Sequence, residues 1–208
     1  MKPSDLAWKG TTVEHKRELL TNSLKERDRL LSEGKIKDGQ LQLGSTCVDI
    51  IGTATAALKE DPSNTEWKKL LDEVETISKE AVDAALMDKN DWSSSDYEVA
   101  GIILTSSDVD SALDLFRKGI TKAEAEENVA SKTLILGQIM KAFMKNENID
   151  DVETALRDLD DSIVLNSPFD PKVATRVHNA SAKGHKFLAI HYAKEAGSEN
   201  QELKARNI

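Results

Sequence analysis

Residues 133–144, TLILGQIMKAFM, constrain the fold of this chain more than any other stretch. A helix through them has almost no polar side, because Leu134, Ile135, Leu136, Ile139, Met140, Phe143 and Met144 project in most directions. Only Gln138 and Lys141 need a route to water. A helix that is apolar nearly all round is surrounded by other elements. The run is too short and interrupted to cross a bilayer, which takes about 20 apolar residues. It is therefore expected to be the hydrophobic centre of a soluble helical domain, with Gly137 and Ala142 letting neighbours approach closely.

The rest of the chain agrees with that expectation. It has 208 residues, enough to bury a real core without disulfides or metals. Aromatic residues make up 4% and charged residues 31%, and Ala, Leu, Lys, Glu and Asp dominate, which favours helices over strands. The lone Cys47 cannot form an internal disulfide, and the first twelve residues, anchored only by Trp8, hold no apolar run suited to a signal peptide. The expected setting is cytoplasmic or intracellular, including a particle assembled inside a cell.

Helix start signals recur along the chain. Thr11 with Glu14, Ser63 with Glu66, Ser95 with Glu98, and Thr121 with Glu124 have capping-box spacing. Ser107 and Asp150 offer further starts, and Asp170-Pro171 supplies an N-cap followed by proline at the first helical position. Gly34 ends the first helix, and Asp38-Gly39 reads as a turn. The second helix carries a stripe at Gly44, Cys47, Val48, Ile51, Ala54, Thr55 and Leu58. The third carries Trp67, Leu70, Leu71, Val74, Ile77, Ser78, Ala81 and Ala85. Together these predict an all-α bundle of about seven to eight helices. The polar stretch DKNDWSSSD suggests a boundary, giving a helical half over residues 1–90 and a second over 91–197 around a central helix at 122–146. A frayed tail over 198–208 follows; one single domain is the alternative. Asp108-Val-Asp-Ser-Ala-Leu-Asp and Asp151-Val-Glu-Thr-Ala-Leu-Arg match in pattern 43 positions apart. A repeated helix pair would give the second half an α-solenoid character.

Charge is segregated within a net −9. Residues 1–38 carry +2, residues 39–92 carry −6, residues 93–170 carry −9 and residues 171–208 carry +4. On the last helix, at 100° per residue, Lys172, Arg176, Asn179, Lys183, Lys186 and Lys194 fall within about 80° of one another. They form a basic ridge opposite Val173, Val177, Ser181, Gly184, Leu188 and Tyr192. Such a ridge suits the acidic surfaces of residues 60–90 and 150–161, or the phosphates of a nucleic acid. An overall acidic chain with little aromatic surface for base stacking fits the first partner better.

No reaction chemistry stands out. The sequence has no phosphate-binding loop, dinucleotide fingerprint, HExxH or paired CxxC. His178 and His185, seven apart, are unsuited to zinc, and His191 lies nearer the apolar face. The acidic side of the third helix, Asp72, Glu73, Glu75, Glu80 and Asp83, lacks a histidine and reads as a solvated face. No catalytic residue, metal or cofactor is expected. The expected function is that of a self-associating structural or adaptor protein whose partner-binding residues are Lys172, Arg176, Lys183, Lys186 and Lys194. The alternatives are a coat or nucleocapsid-type protein placing the ridge on single-stranded nucleic acid, and an enzyme whose site leaves no motif.

Overall fold

The computed structural model describes residues 11–88 and 91–206, with side chains through residue 196. The described residues form eight α-helices and no strand: α1 (Val13–Ser32), α2 (Ile36–Glu60), α3 (Thr65–Leu86), α4 (Ser94–Leu104), α5 (Val109–Ala125), α6 (Val129–Lys145), α7 (Ile149–Asn166) and α8 (Pro171–Arg206). The chain is an all-α multi-helix bundle. It divides into two compact units, residues 1–115 and 116–208, and the division falls inside α5. Trp8 lies outside the described residues.

In the first unit, α2 is the central helix, packed by α1, α3 and α4. Its buried set, including Leu43, Cys47, Ile50, Ile51, Ala54 and Ala57, is wider than the stripe the sequence suggests, because three neighbours cover it rather than one. Among the described residues α2 is also the helix whose length and composition would permit a membrane span, but these packed neighbours account for its apolar surface. Leu20, Trp67, Leu70, Val74 and Ala81 complete this core. Gly44 is fully enclosed, since a Cβ there would lie 2.6 Å from Ile103 Cδ1 of α4. Gly39 belongs to α2 rather than to a turn, and a Cβ there would meet Leu30 Cβ and Leu31 Cδ1 at 3.1 Å. Close helix approach, not loop geometry, is what this glycine supplies. Gly34 does end α1, at φ +78°, and the Lys35 amide donates back to Leu30 O at 2.9 Å.

The polar stretch near residue 90 connects elements of one unit. Lys89 and Asn90 lie outside the described residues, but Trp92 beyond them is buried and α4 packs on α2 and α3. The compact units therefore part about 25 residues later than the composition shift suggests.

In the second unit, α6 packs against α7 and α8, and no residue from Ser131 to Met144 is exposed. Met140, Val152, Ala155, Leu156, Leu159, Ile163, Val177 and Ala180 form its core. The molecule thus has two central helices, α2 and α6, where the apolar run alone points to one. The run over 122–146 is also not one helix. Gly119 and Thr121 sit within α5, with Thr121 Oγ1 donating to Arg117 O at 3.2 Å, and α5 ends at Ala125. Glu127 then takes the left-handed region at φ 52°, and the Asn128 amide donates to Ala123 O at 2.8 Å. Asn128 Oδ1 accepts from the Ser131 amide at 3.0 Å and opens α6. The same construction recurs at Glu147, φ 53°, and Asn148, whose amide reaches Phe143 O and whose side chain caps α7.

Other helices also start slightly away from the expected caps. Thr12 caps α1, accepting from the His15 amide at 3.1 Å. Asn64 caps α3, Ser93 and Asp96 form the capping box of α4, and Asp108 accepts from the Ser111 amide at 3.0 Å to open α5. Asp170 caps α8 as expected, accepting from the amides of Lys172 and Val173 at 2.9 and 3.2 Å. The matched segments beginning at Asp108 and Asp151 bury equivalent faces, Ala112, Leu113 and Phe116 against Ala155, Leu156 and Leu159. Their starts differ, because Asp108 caps its helix whereas Asp151 lies in the first turn behind Asn148. Finally, α8 continues helically through 198–206, where a frayed tail was expected. The backbone cost of Gly197, about 1 kcal/mol, falls among good helix formers such as Gln201, Glu202, Leu203 and Lys204.

Candidate interaction surface on the last helix

The periodicity of α8 turns the five expected cations to solvent. Its inner side is set by Val177, Ala180 and Gly184, which are buried against α6 and α7. Gly184 lets the helix settle closely, since a Cβ there would meet Met140 Sδ at 2.5 Å and Leu156 Cδ1 at 3.0 Å. Lys172, Arg176, Lys183, Lys186 and Lys194 are all exposed on the outer side. Lys172, Lys183, Lys186 and Lys194 have no carboxylate partner among the described residues. Arg176 is engaged within the molecule.

At the centre of this ridge stands a residue the charge pattern conceals. Ile190, at 47% exposed, lies four residues after Lys186 and four before Lys194, on the same strip at 100° per residue. The ridge therefore combines cations with an apolar projection.

Between the ridge and the buried side, α8 is tied to α7 by polar contacts. Asp160 accepts from Ser181 Oγ at 2.6 Å and pairs with His185 Nε2 at 2.9 Å. Tyr192 donates its hydroxyl to Glu153, and that carboxylate raises the tyrosine pKa. His191 lies 3.1 Å from Glu195, and among the described residues no three His, Cys, Asp or Glu side chains converge as a metal site.

The acidic surfaces are placed as follows. On α3, Asp72, Glu73, Glu80 and Asp83 are exposed and Glu75 half-buried, with Glu73 held by Arg17 at 2.7 Å. On α7, Asp158 and Asp161 are exposed. They flank a groove of about 470 Å³ formed by the end of α5, α6 and α7, whose apolar lining is Ile120, Val129, Leu136 and Leu165. Within the groove Glu124 is neutralised by Lys132 at 2.6 Å, which leaves the two aspartates as its uncompensated charge. Leu165 is 80% exposed and the adjacent Val164 78%. Both follow the buried Ile163. A three-residue apolar run in a helix cannot face one core throughout, since successive side chains turn by 100°, so that run is a readable sign of an outward apolar spot.

Cys47 is wholly buried, and burial pushes its thiol up to about 12, far from the thiolate that reactive cysteines use. Among the described residues no buried side-chain nitrogen or oxygen lacks a hydrogen-bond partner. No family model matches the chain, and neither the curated proteins nor the solved structures contain a significant match to it.

Proposed function

We propose that this chain is a non-catalytic helical structural or adaptor protein that self-associates inside the cell, the basic ridge of one copy meeting an acidic surface of another. The observation that carries this reading is a strip of exposed lysines on one helix with no carboxylate partner among the described residues, on a chain that itself bears exposed acidic faces. A second copy supplies the complementary charge.

Magnitudes assign the roles. An exposed ion pair is worth about 0.2–1 kcal/mol, so the lysines set orientation and encounter rate more than affinity. Burying an exposed leucine or isoleucine contributes about 1.5–3 kcal/mol, so apolar projections such as Ile190 would supply the adhesion. Reversing Lys183 and Lys186 together to glutamate should weaken assembly at least tenfold, measured by mass photometry over a concentration series. An unchanged distribution of oligomers would count against the ridge. Fluorescence anisotropy with a labelled single-stranded oligonucleotide separates the coat-protein alternative. Salt-dependent binding abolished by the same reversal, with assembly untouched, would favour nucleic acid instead.

A further inference from the structure

We infer that the acidic groove between α5, α6 and α7 receives α8 of a second copy, in parallel with α7, so that copies associate head to tail. This rests on the self-association proposed above and names its two faces.

The two helices share a register. On α7, Asp158, Asp161 and Leu165 follow one another at intervals of three and four residues. On α8, Lys183, Lys186 and Ile190 do the same. Both triplets lie on an exposed strip of their helix, and in each the side chains fall within about 60° of one another and span about 10 Å. Set side by side in parallel, the helices bring Lys183 to Asp158, Lys186 to Asp161 and Ile190 to Leu165. Set antiparallel, they can pair Lys186 with Asp158 and Lys183 with Asp161 only in a register that carries Ile190 to Thr154 and Leu165 to Asn179, so the apolar contact is lost. Charge complementarity therefore selects the occupant, and the apolar contact of Ile190 with Leu165 selects the direction.

The occupant must come from another molecule. Within one chain α8 packs on α6 and α7 through Val177, Ala180 and Gly184, while Lys183 and Lys186 stay exposed and Ile190, 47% exposed, borders a pocket beside Glu147 and Ile149. Leu165 and Val129, 80% and 42% exposed, then gain cover from Ile190 and the methylene stems of the lysines, which carry apolar length up to a charged tip. Because groove and ridge are different surfaces, each copy that fills a groove still offers a groove of its own. Such a contact is heterologous and builds rings or filaments rather than a two-fold dimer.

Charge exchange tests it. The full-length chain is compared with Asp158→Lys/Asp161→Lys, with Lys183→Glu/Lys186→Glu, with the chain carrying all four changes, and with Leu165→Ser. All altered positions are exposed, so circular dichroism should match throughout. Sedimentation at low ionic strength should show each double variant weakened at least tenfold, the four-fold variant restored to within about threefold of the original, and Leu165→Ser weakened about tenfold. Assembly of the groove double variant like the original chain, or a four-fold variant no better than either double, overturns the groove pairing while leaving self-association standing. A chain that stays monomeric at every concentration overturns both.

Discussion

At the residue scale, two glycines of the same helix perform opposite tasks. Gly44 faces Ile103 so closely that three atoms of that side chain would lie within 3.2 Å of an added Cβ, whereas at Gly52 nothing lies within 4 Å. Ile103 is fully buried and branched at Cβ, so it has little freedom to yield. Gly44→Ala should therefore destabilise the protein by about 1–3 kcal/mol, the range for overpacking a core. Gly52→Ala should stabilise it by about 0.5–1 kcal/mol through the backbone entropy of the unfolded chain. Urea unfolding of the two variants checks both signs together. The sequence shows Gly44 and Gly52 alike as glycines of one helix; which of them is pressed against α4 depends on an element more than forty residues away, and only the packed structure contains that distance.

At the element scale, Asp96 ties the start of α4 to α2 through Lys37, and the Lys37 amide carries the tie on to Asp88 beyond α3. It accepts from the Ser93 amide and hydroxyl at 2.8 and 2.9 Å, closing the capping box of α4, and pairs with Lys37 of α2 at 2.8 Å. Lys37 in turn gives its amide to Asp88, just past α3, at 3.0 Å. Burial raises the Asp96 pKa, but the Lys37 ammonium and the two Ser93 donors outweigh it and hold the group below its ordinary 3.8. A carboxyl depressed in the folded state adds stability above its unfolded value and loses it as pH falls through the folded one. Asp96→Asn should thus lower the urea midpoint at neutral pH, and the gap between variant and original should close as the pH is taken below 3.8. A gap that persists in acid would mean the amide fails sterically rather than electrostatically. The existence of these helices was readable from periodicity, yet their starts were less so. At Thr11-Thr12, Ser63-Asn64 and the run Ser93-Ser94-Ser95, adjacent residues can all cap at similar cost, and the register that buries the apolar stripe decides between them. Asp170 was unambiguous because Pro171 tolerates only one place in a helix. Thr121 and Glu124 had the spacing of a start but lay inside a helix whose stop, a glutamate in the left-handed region, is chemically unremarkable in sequence.

At the scale of the whole molecule, the charge map was legible and the groove was not. The ridge of Lys172, Arg176, Lys183, Lys186 and Lys194 lies on a single helix, so counting 100° per residue recovers it. The groove draws Ile120, Val129 and Leu165 from three helices, and no local pattern announces such a convergence. If the ridge and the two aspartates orient assembly, association should weaken as ionic strength rises, since the screening length falls from about 30 Å at 0.01 M to about 8 Å at 0.15 M. The apolar pairing of Ile190 with Leu165 should persist and leave a residual, salt-insensitive affinity. Light scattering across a salt series measures both parts, and association that strengthens steadily with salt would assign the contact to apolar surface alone. Asn128 and Asn148 carry a consequence for how this molecule comes apart. Each spends its amide finishing one helix and its side chain beginning the next. Neither joint can be loosened on one flank only: melting the end of α6 withdraws the latch that starts α7, so heat should dissolve neighbouring helices together.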